Sequence, residues 1–389
     1  MKIDFCEGAM DSLLTPEAAD WRRTVRRFVE ERLQPHDAAI EESGRIPPEA
    51  VAAMAEFGLF GLNAPREHGG AGLAMLHAAL ATEQLGRAHI AYYYLSGVNG
   101  HIGSKAIEFA GTAEQQARWL PGLASGRCIA AFALTEEGAG SDAAAVATTA
   151  RRDGDGYLLD GTKRYITNAP DAGLFTVFAS TDPAARGRGL TAFAVEAGTP
   201  GLEIGPETPM CGGRGSRHAS VHFRGCRVPA TQRLGAEGEG FAIAMRCLDA
   251  GRTHWAAYAV GAAERLLELA ASHLKERRQF GRPLADNQGL QWMLAGLATD
   301  LHAARLVFLD AALAYDRRPE QRRLAAARAK LHCTETACRI ADGAMQMFGG
   351  AGYVQGLPVE RVWREIRVAR ILDGTSEMLK GLVARDLLA

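Results

Sequence analysis

Two features of the chain have residue types able to do chemistry: an isolated carboxylate in a turn-like run and a glycine-rich loop after an apolar strand. The carboxylate is Asp373, in Leu372-Asp373-Gly374-Thr375-Ser376-Glu377. In a dry pocket, burial would raise its pKa towards the range of a general base. Asp-Gly is also ordinary turn chemistry, and Thr375 or Ser376 would cap a helix that follows it. The loop is Phe132-Ala133-Leu134-Thr135-Glu136-Glu137-Gly138-Ala139-Gly140-Ser141-Asp142. Its backbone N–H groups and hydroxyls can hydrogen-bond a flat heterocycle or a phosphate. Taken alone, such a run is more often a plain turn.

The elements that must position these groups follow from composition and periodicity. A chain of 389 residues, 47% hydrophobic and 23% charged, can bury a substantial core. With 44 basic and 45 acidic side chains, no global charge favours nucleic acid or an anionic membrane as partner. Met1-Lys2-Ile3-Asp4-Phe5-Cys6-Glu7 lacks the pattern of a signal peptide, and no stretch reads as apolar enough to span a bilayer. A cytoplasmic protein without membrane insertion is expected. The seven cysteines are scattered without zinc-type spacing, so reduced structural thiols and no metal are expected.

Residues 1–126 read as a helical domain. Trp21, Val25, Phe28, Val29 and Leu33 share one helical face, Pro47-Pro48 starts a second helix that stops near Gly58, and 78–85 and 102–109 also fit helices. Residues 127–240 change to short β-rich runs at 157–159, 174–178 and 191–195, divided by Asp-Gly and Arg-Gly turns. An antiparallel sandwich or barrel is the expectation. Residues 241–389 return to helices, with 261–278, 290–315 and 324–348 long enough for a bundle. The fold class is α+β, mainly α.

Five runs in order then carry a resemblance. The loop at 132–142 resembles the Thr-Glu-Pro-x-Ala-Gly-Ser-Asp signature of the acyl-CoA dehydrogenase family. Lys163-Arg164-Tyr165-Ile166-Thr167-Asn168 follows at the family's spacing, then Glu276-Arg277-Arg278-Gln279-Phe280-Gly281, Gln346-Met347-Phe348-Gly349-Gly350, and the Asp373 run. The resemblance implies FAD held among an N-terminal helical domain, a middle β domain and a C-terminal four-helix bundle, in a homotetramer or homodimer.

It places Phe132, Leu134, Thr135 and Ser141 on one side of the flavin and Tyr165 and Thr167 on the other. Tyr165 stands for the family's common tryptophan, and Ala169 for a common glycine. Arg277, Gln279 and Phe280 match positions that reach the FAD of a neighbouring subunit, Arg277 having the planar fork that suits a pyrophosphate. The same arginines could instead simply favour the negative end of a helix dipole. Gln346, Gly349 and Gly350 match the adenosine end, and Thr375 and Glu377 the last cofactor contacts.

By the same resemblance Asp373 takes the place of the catalytic base, where most members carry glutamate. The family's second location for that base falls on Gly251. Aspartate stands at this place in cyclohexanecarboxyl-CoA dehydrogenases, in a subgroup acting on hydroxylated chains and in nitroalkane oxidases. Ser141, Asp249 and Arg252 match the arm of the thioester handle. Tyr94, Leu95, Val98 and Ile102 match the acyl pocket, with Leu372 and Gly374 beside the base.

The implied activity is α,β-desaturation of a short, branched or cyclic acyl thioester, of CoA or of an acyl carrier protein, with electrons passed to an electron-transferring flavoprotein. Two competing expectations are a nitroalkane-oxidase-like flavoprotein and a catalytically silent thioester-binding paralogue.

Overall fold

The computed structural model describes residues 13–389, so the opening run Met1–Glu7 with Cys6 lies outside the described residues. Seven helices come first: α1 (Pro16–Phe28), α2 (Asp37–Ser43), α3 (Pro48–Phe57), α4 (Met75–Leu85), α5 (Ile90–Gly97), α6 (Lys105–Ala110) and α7 (Ala113–Ala124). Thr15 caps α1 from its side chain, and Gly58 ends α3 in the left-handed region, as its lack of a Cβ allows. The face carrying Val25, Val29 and Leu33 is buried, but regular α-helix stops at Phe28 and a wider π turn continues to Leu33. A second π turn, Val98–Gly103, takes the first part of the helix expected at 102–109.

The strands β1 (Ala130–Ala133), β2 (Thr149–Asp153), β3 (Gly156–Thr167), β4 (Leu174–Ser180), β5 (Leu190–Glu196), β6 (Leu202–Glu207), β7 (His218–Pro229) and β8 (Arg233–Leu234) form one sheet. Its order is β6-β7-β3-β2-β4-β5-β8, with β1 beside β4. Two pairings, β1 with β4 and β2 with β4, are parallel, so the sheet is mixed rather than wholly antiparallel. Strand β4 is buried throughout. Phe175 and Val177 face the sheet's own core, while Leu174 and Phe178 face a second core shared with helices. Burial on both faces explains why β4 reads as a continuous apolar run.

Three long helices follow: α8 (Gly240–Glu276), α9 (Gln288–Arg317) and α10 (Arg322–Phe348), then α11 (Pro358–Ile366) and α12 (Ser376–Leu387). Helix α8 begins some twenty residues before the expected 261, running through Gly251 and Gly261. Glycine costs an isolated helix about 1 kcal/mol, and tertiary packing repays it here. A Cβ added to Gly261 would lie 1.7 Å from the Glu83 carbonyl oxygen of α4, so the bare backbone is what lets the two helices meet.

At that crossing a buried ionic network joins the N-terminal helices to the bundle. Arg22 and Arg305 grip Glu83 at 2.8 and 2.7 Å, Arg305 reaches Glu264 at 3.0 Å, and Arg87 reaches Glu264 and Glu268 at 3.2 and 2.8 Å. Nothing in the sequence pattern foretells this network, because its partners are far apart along the chain. Helix α9 corrects another expectation: it is long and apolar enough by composition to cross a membrane. It is one wall of the bundle, packed on α8 and α10.

Candidate active site

Asp373 sits just before α12 with φ of 53°, and Gly374 follows at 99°. Two successive left-handed residues are costly for a non-glycine, and two cations hold them. Arg252 Nε of α8 donates to the Asp373 carbonyl at 2.8 Å, and Lys330 Nζ of α10 donates to the Gly374 carbonyl at 2.8 Å. Arg252 is itself fixed by Asp249 Oδ1, 2.9 Å from Nη1. Thr375 closes the segment as the N-cap of α12, accepting from the Met378 N–H at 3.3 Å, and Glu377 is exposed in the first turn.

The Asp373 side chain lines a cavity with Tyr93, Tyr94, Val98, His101, Ile102 and Trp255, closed by the bare backbones of Gly97 and Gly251. A Cβ on Gly251 would lie 3.4 Å from Asp373 Oδ2, so residue 251 faces the carboxylate directly. The free volume is about 10 Å³, close to the space of one water. Burial pushes the Asp373 carboxyl above its ordinary value, while Lys330, Arg252 and Trp255 pull it back towards the charged form. Burial lowers Lys330 to about 8, with Asp373 opposing that shift.

The structure brings Tyr94, Val98 and Ile102 to this cavity, from α5 and the π turn after it. Leu95 points elsewhere and packs with the N-terminal core around Val25 and Leu33. Leu372 packs with the bundle core rather than on the cavity wall. Lys330, Trp255 and His101 are absent from the sequence reading. A lone lysine in the alanine-rich 322–348 stretch resembles any surface residue of a helix, and only its complete burial marks it out.

On the sheet side, the loop after β1 is stitched to β3. Lys163 Nζ, fully buried, donates to Glu136 Oε1 at 2.7 Å and to the Leu134 carbonyl at 3.1 Å. The Arg164 N–H donates to the Thr135 carbonyl at 2.8 Å. Burial would raise Glu136, but Lys163 and the Thr148 and Ala147 donors outweigh it and hold the carboxylate charged. Glu136 and Lys163 therefore bring Thr135 against Arg164, next to Tyr165, joining two runs nearly thirty residues apart.

Tyr165 lies where the β3–β7 register slips, with φ of 58° and its ring 54% exposed, an unusual placement for an aromatic side chain. Thr167 Oγ1 meets His218 Nδ1 at 3.0 Å. Asn168 Nδ2 donates to the Tyr94 carbonyl at 3.1 Å, linking this strand to the Asp373 cavity. Phe132 and Leu134 are mostly inward, while Ser141 is exposed at the loop tip. An exposed aromatic residue with strained backbone, on the strand stitched to a loop whose Gly138 and Gly140 are open to a ligand, fits a flat ring system with a phosphate tail.

Arg277, Gln279 and Phe280 are exposed just beyond the end of α8, and Gln346, Gly349 and Gly350 are exposed at the end of α10. His273 stacks on Phe348 with ring centroids 4.2 Å apart, which holds the two groups at one end of the bundle. Gly349 and Gly350 have nothing within 4 Å of a built Cβ, so their backbone is open to a ligand.

The family models for the acyl-CoA dehydrogenase N-terminal, middle and C-terminal domains match residues 15–127, 131–226 and 238–388. The chain is 41% identical over 368 residues to the mitochondrial short-chain specific acyl-CoA dehydrogenase of Bos taurus, covering 94% of this chain and 89% of that one. It is 39% identical over 382 residues to the acryloyl-CoA reductase (NADH) of Anaerotignum propionicum, covering 97% and 96%. The structure of butyryl-CoA dehydrogenase from Megasphaera elsdenii superposes with a TM-score of 0.93 at 33% identity, over 97% of this chain and 99% of that one. The helical, sheet and helical parts, the loop and strand that fit a flavin, and these matches agree: the chain is an enzyme of the FAD-dependent acyl-CoA dehydrogenase family.

Proposed function

We propose that the protein desaturates a short acyl thioester between its α and β carbons, with Asp373 as the base that removes the α proton. The observation that carries this reading is the carboxylate on the wall of a narrow cavity lined mostly by apolar and aromatic side chains, with the bare Gly251 facing it. Burial raises the carboxyl towards the pKa of a useful base, and the Arg252 and Lys330 hydrogen bonds fix the segment that bears it. FAD, when bound, supplies the acceptor for the hydride that leaves the β carbon.

Tyr165, Thr135 and Thr167 would hold the flavin ring, and Phe132, Leu134 and Ser141 would complete that side. Asp249 and Arg252 would meet the thioester handle. Tyr94, Trp255 and Ile102 line the acyl end and would displace water from it once the thioester is bound, which strengthens charge interactions inside. The bulky lining of Tyr93, Tyr94, Ile102 and Trp255 supports a short acyl group, in keeping with the butyryl and acryloyl substrates in the names of two relatives.

The residues matched to the distal end of FAD support an oligomer. Arg252 and Glu276 are 24 residues apart on one helix, or about 36 Å at the α-helical rise. A dinucleotide beside Asp373 would not reach Arg277 of the same chain, so Arg277, Gln279, Phe280, Gln346, Gly349 and Gly350 would serve a neighbouring subunit's FAD. Phe280, Tyr353 and Trp292 are 101%, 80% and 68% exposed, as surfaces awaiting a partner are. An electron-transferring flavoprotein is the proposed acceptor.

Anaerobic reduction of the bound flavin by a panel of short, branched and cyclic acyl-CoAs tests the reading. Bleaching by a four-carbon thioester is expected. Turnover of nitroethane with peroxide release, and no bleaching by any thioester, would favour the nitroalkane-oxidase alternative.

A further inference from the structure

We infer that His218 is a positioning residue for the cofactor, keeping the Thr167 hydroxyl able to donate to the oxidised flavin ring and to accept from the reduced one. The inference rests on the reading that Thr167 holds the flavin and extends it by one residue.

Thr167 and His218 are directly opposite each other on β3 and β7, so their side chains share one face of the sheet. Thr167 Oγ1 and His218 Nδ1 are 3.0 Å apart. The backbone fixes the histidine on both sides: the Thr208 N–H donates to the His218 carbonyl at 2.7 Å, and the Asn168 N–H to the Arg217 carbonyl at 2.8 Å. The imidazole also meets the Tyr94 ring, with centroids 5.2 Å apart and planes at 89°. Tyr94 lines the cavity that holds Asp373, so the Thr167–His218 pair is one side chain away from the acyl site. A hydride acceptor has to lie beside that site.

His218 is 5% exposed, and burial pushes it down to about 4, so the ring is neutral at physiological pH. A neutral imidazole has one N–H and one bare nitrogen, and a hydroxyl both donates and accepts. Two arrangements therefore fit the 3.0 Å contact. With the proton on Nδ1, the imidazole donates to Oγ1 and the Thr167 O–H is free to donate elsewhere. With the proton on Nε2, Thr167 donates to Nδ1 and its oxygen is free to accept.

A flavin nitrogen that takes up a hydride presents a lone pair before the transfer and an N–H after it. The first arrangement suits the oxidised ring and the second the reduced ring. Without the imidazole nitrogen, the oxidised state would lose one partner of an oxygen lone pair, whereas the reduced state would leave the Thr167 O–H as an unmet donor. An unmet buried donor is the more costly of the two. His218 therefore favours the reduced flavin.

The test is an anaerobic reductive titration of the FAD-loaded protein against a reference dye, without thioester, which gives the flavin midpoint potential. His218→Phe keeps a ring against Tyr94 and removes the nitrogen. It should shift the oxidised-to-reduced equilibrium about tenfold towards the oxidised form, which is about 30 mV for a two-electron couple. His218→Leu should do the same, so a folding failure of one variant leaves the other to read. His218→Asn can turn either an oxygen or an N–H towards Thr167 and should keep the parent potential. In a Thr167→Val background, His218→Phe should cause no further shift. An unchanged potential in His218→Phe, an equal fall in His218→Asn, or the same shift in the Thr167→Val background would each overturn the inference. Failure of the underlying reading would show separately, as Thr167→Val alone leaving both the potential and FAD retention unchanged.

Discussion

Lys330 Nζ donates a 2.8 Å hydrogen bond to the carbonyl of Gly374, the residue that follows Asp373. A fully buried ammonium thus does two things at once. It holds a left-handed backbone segment, and it places a positive charge near the carboxylate.

Lys330→Met should remove both effects. Asp373 has its charged form favoured by Lys330, so without it the carboxyl pKa rises further. The acidic limb of the kcat/KM profile should move to higher pH, with activity lost on the acid side of the profile first. Lys330→Arg should retain part of both. A loss of activity with the limb unmoved would leave Lys330 a role in folding alone.

The Gly251 backbone is predicted to be part of the cavity wall. A methyl at this position would meet Ile102 Cγ2 at 2.7 Å and Asp373 Oδ2 at 3.4 Å. Gly251→Ala should lower kcat/KM for a four-carbon thioester by about tenfold through misplacement of the base. FAD content should be unchanged. An undiminished kcat/KM would mean that the reacting carbons lie elsewhere.

Tyr165 is expected to act through the cofactor. Replacing it with alanine removes an exposed ring from the strand stitched to the Thr135 loop, and FAD should be lost more readily on dilution, with about a tenfold weaker Kd. Tyr165→Trp should restore retention. The check is the ratio of flavin to protein absorbance after gel filtration.

The buried network predicts an acid-labile join between the helical parts. Burial alone would raise Glu264, but Arg305, Arg22 and Arg87 outweigh it and hold the carboxyl below its ordinary value. Its contribution is therefore fully present above the unfolded pKa of about 4.3 and is lost as pH falls through the lower folded value. Glu264→Gln should cost about 3–5 kcal/mol at neutral pH, and the gap from the parent should shrink below about pH 4. Denaturant melts at pH 7 and at pH 3.5 give the comparison.

Much of this architecture is written in local periodicity. Trp21 to Leu33 marks a buried helical face, Leu174 to Phe178 a strand, and the glycine run after β1 an exposed loop. Asp373 was singled out by its place in a family pattern, and the cavity around it contains three of the four residues matched to the acyl pocket. The rest depends on long-range contact. Lys330, His101 and Trp255 are unremarkable in their own segments, and only the packing of α8, α10 and the π turn gives them a common focus. Leu95 shows the same limit in reverse, since one residue of phase on α5 turns it from the cavity to the N-terminal core.

The central claim is that Asp373 is the base, and anaerobic stopped-flow reduction of the bound flavin by butyryl-CoA addresses it most directly. Asp373→Asn should slow reduction by about a thousandfold or more while leaving FAD bound, and Asp373→Glu should retain or raise the parent rate. Reduction of the Asp373→Asn flavin at the parent rate would contradict the assignment.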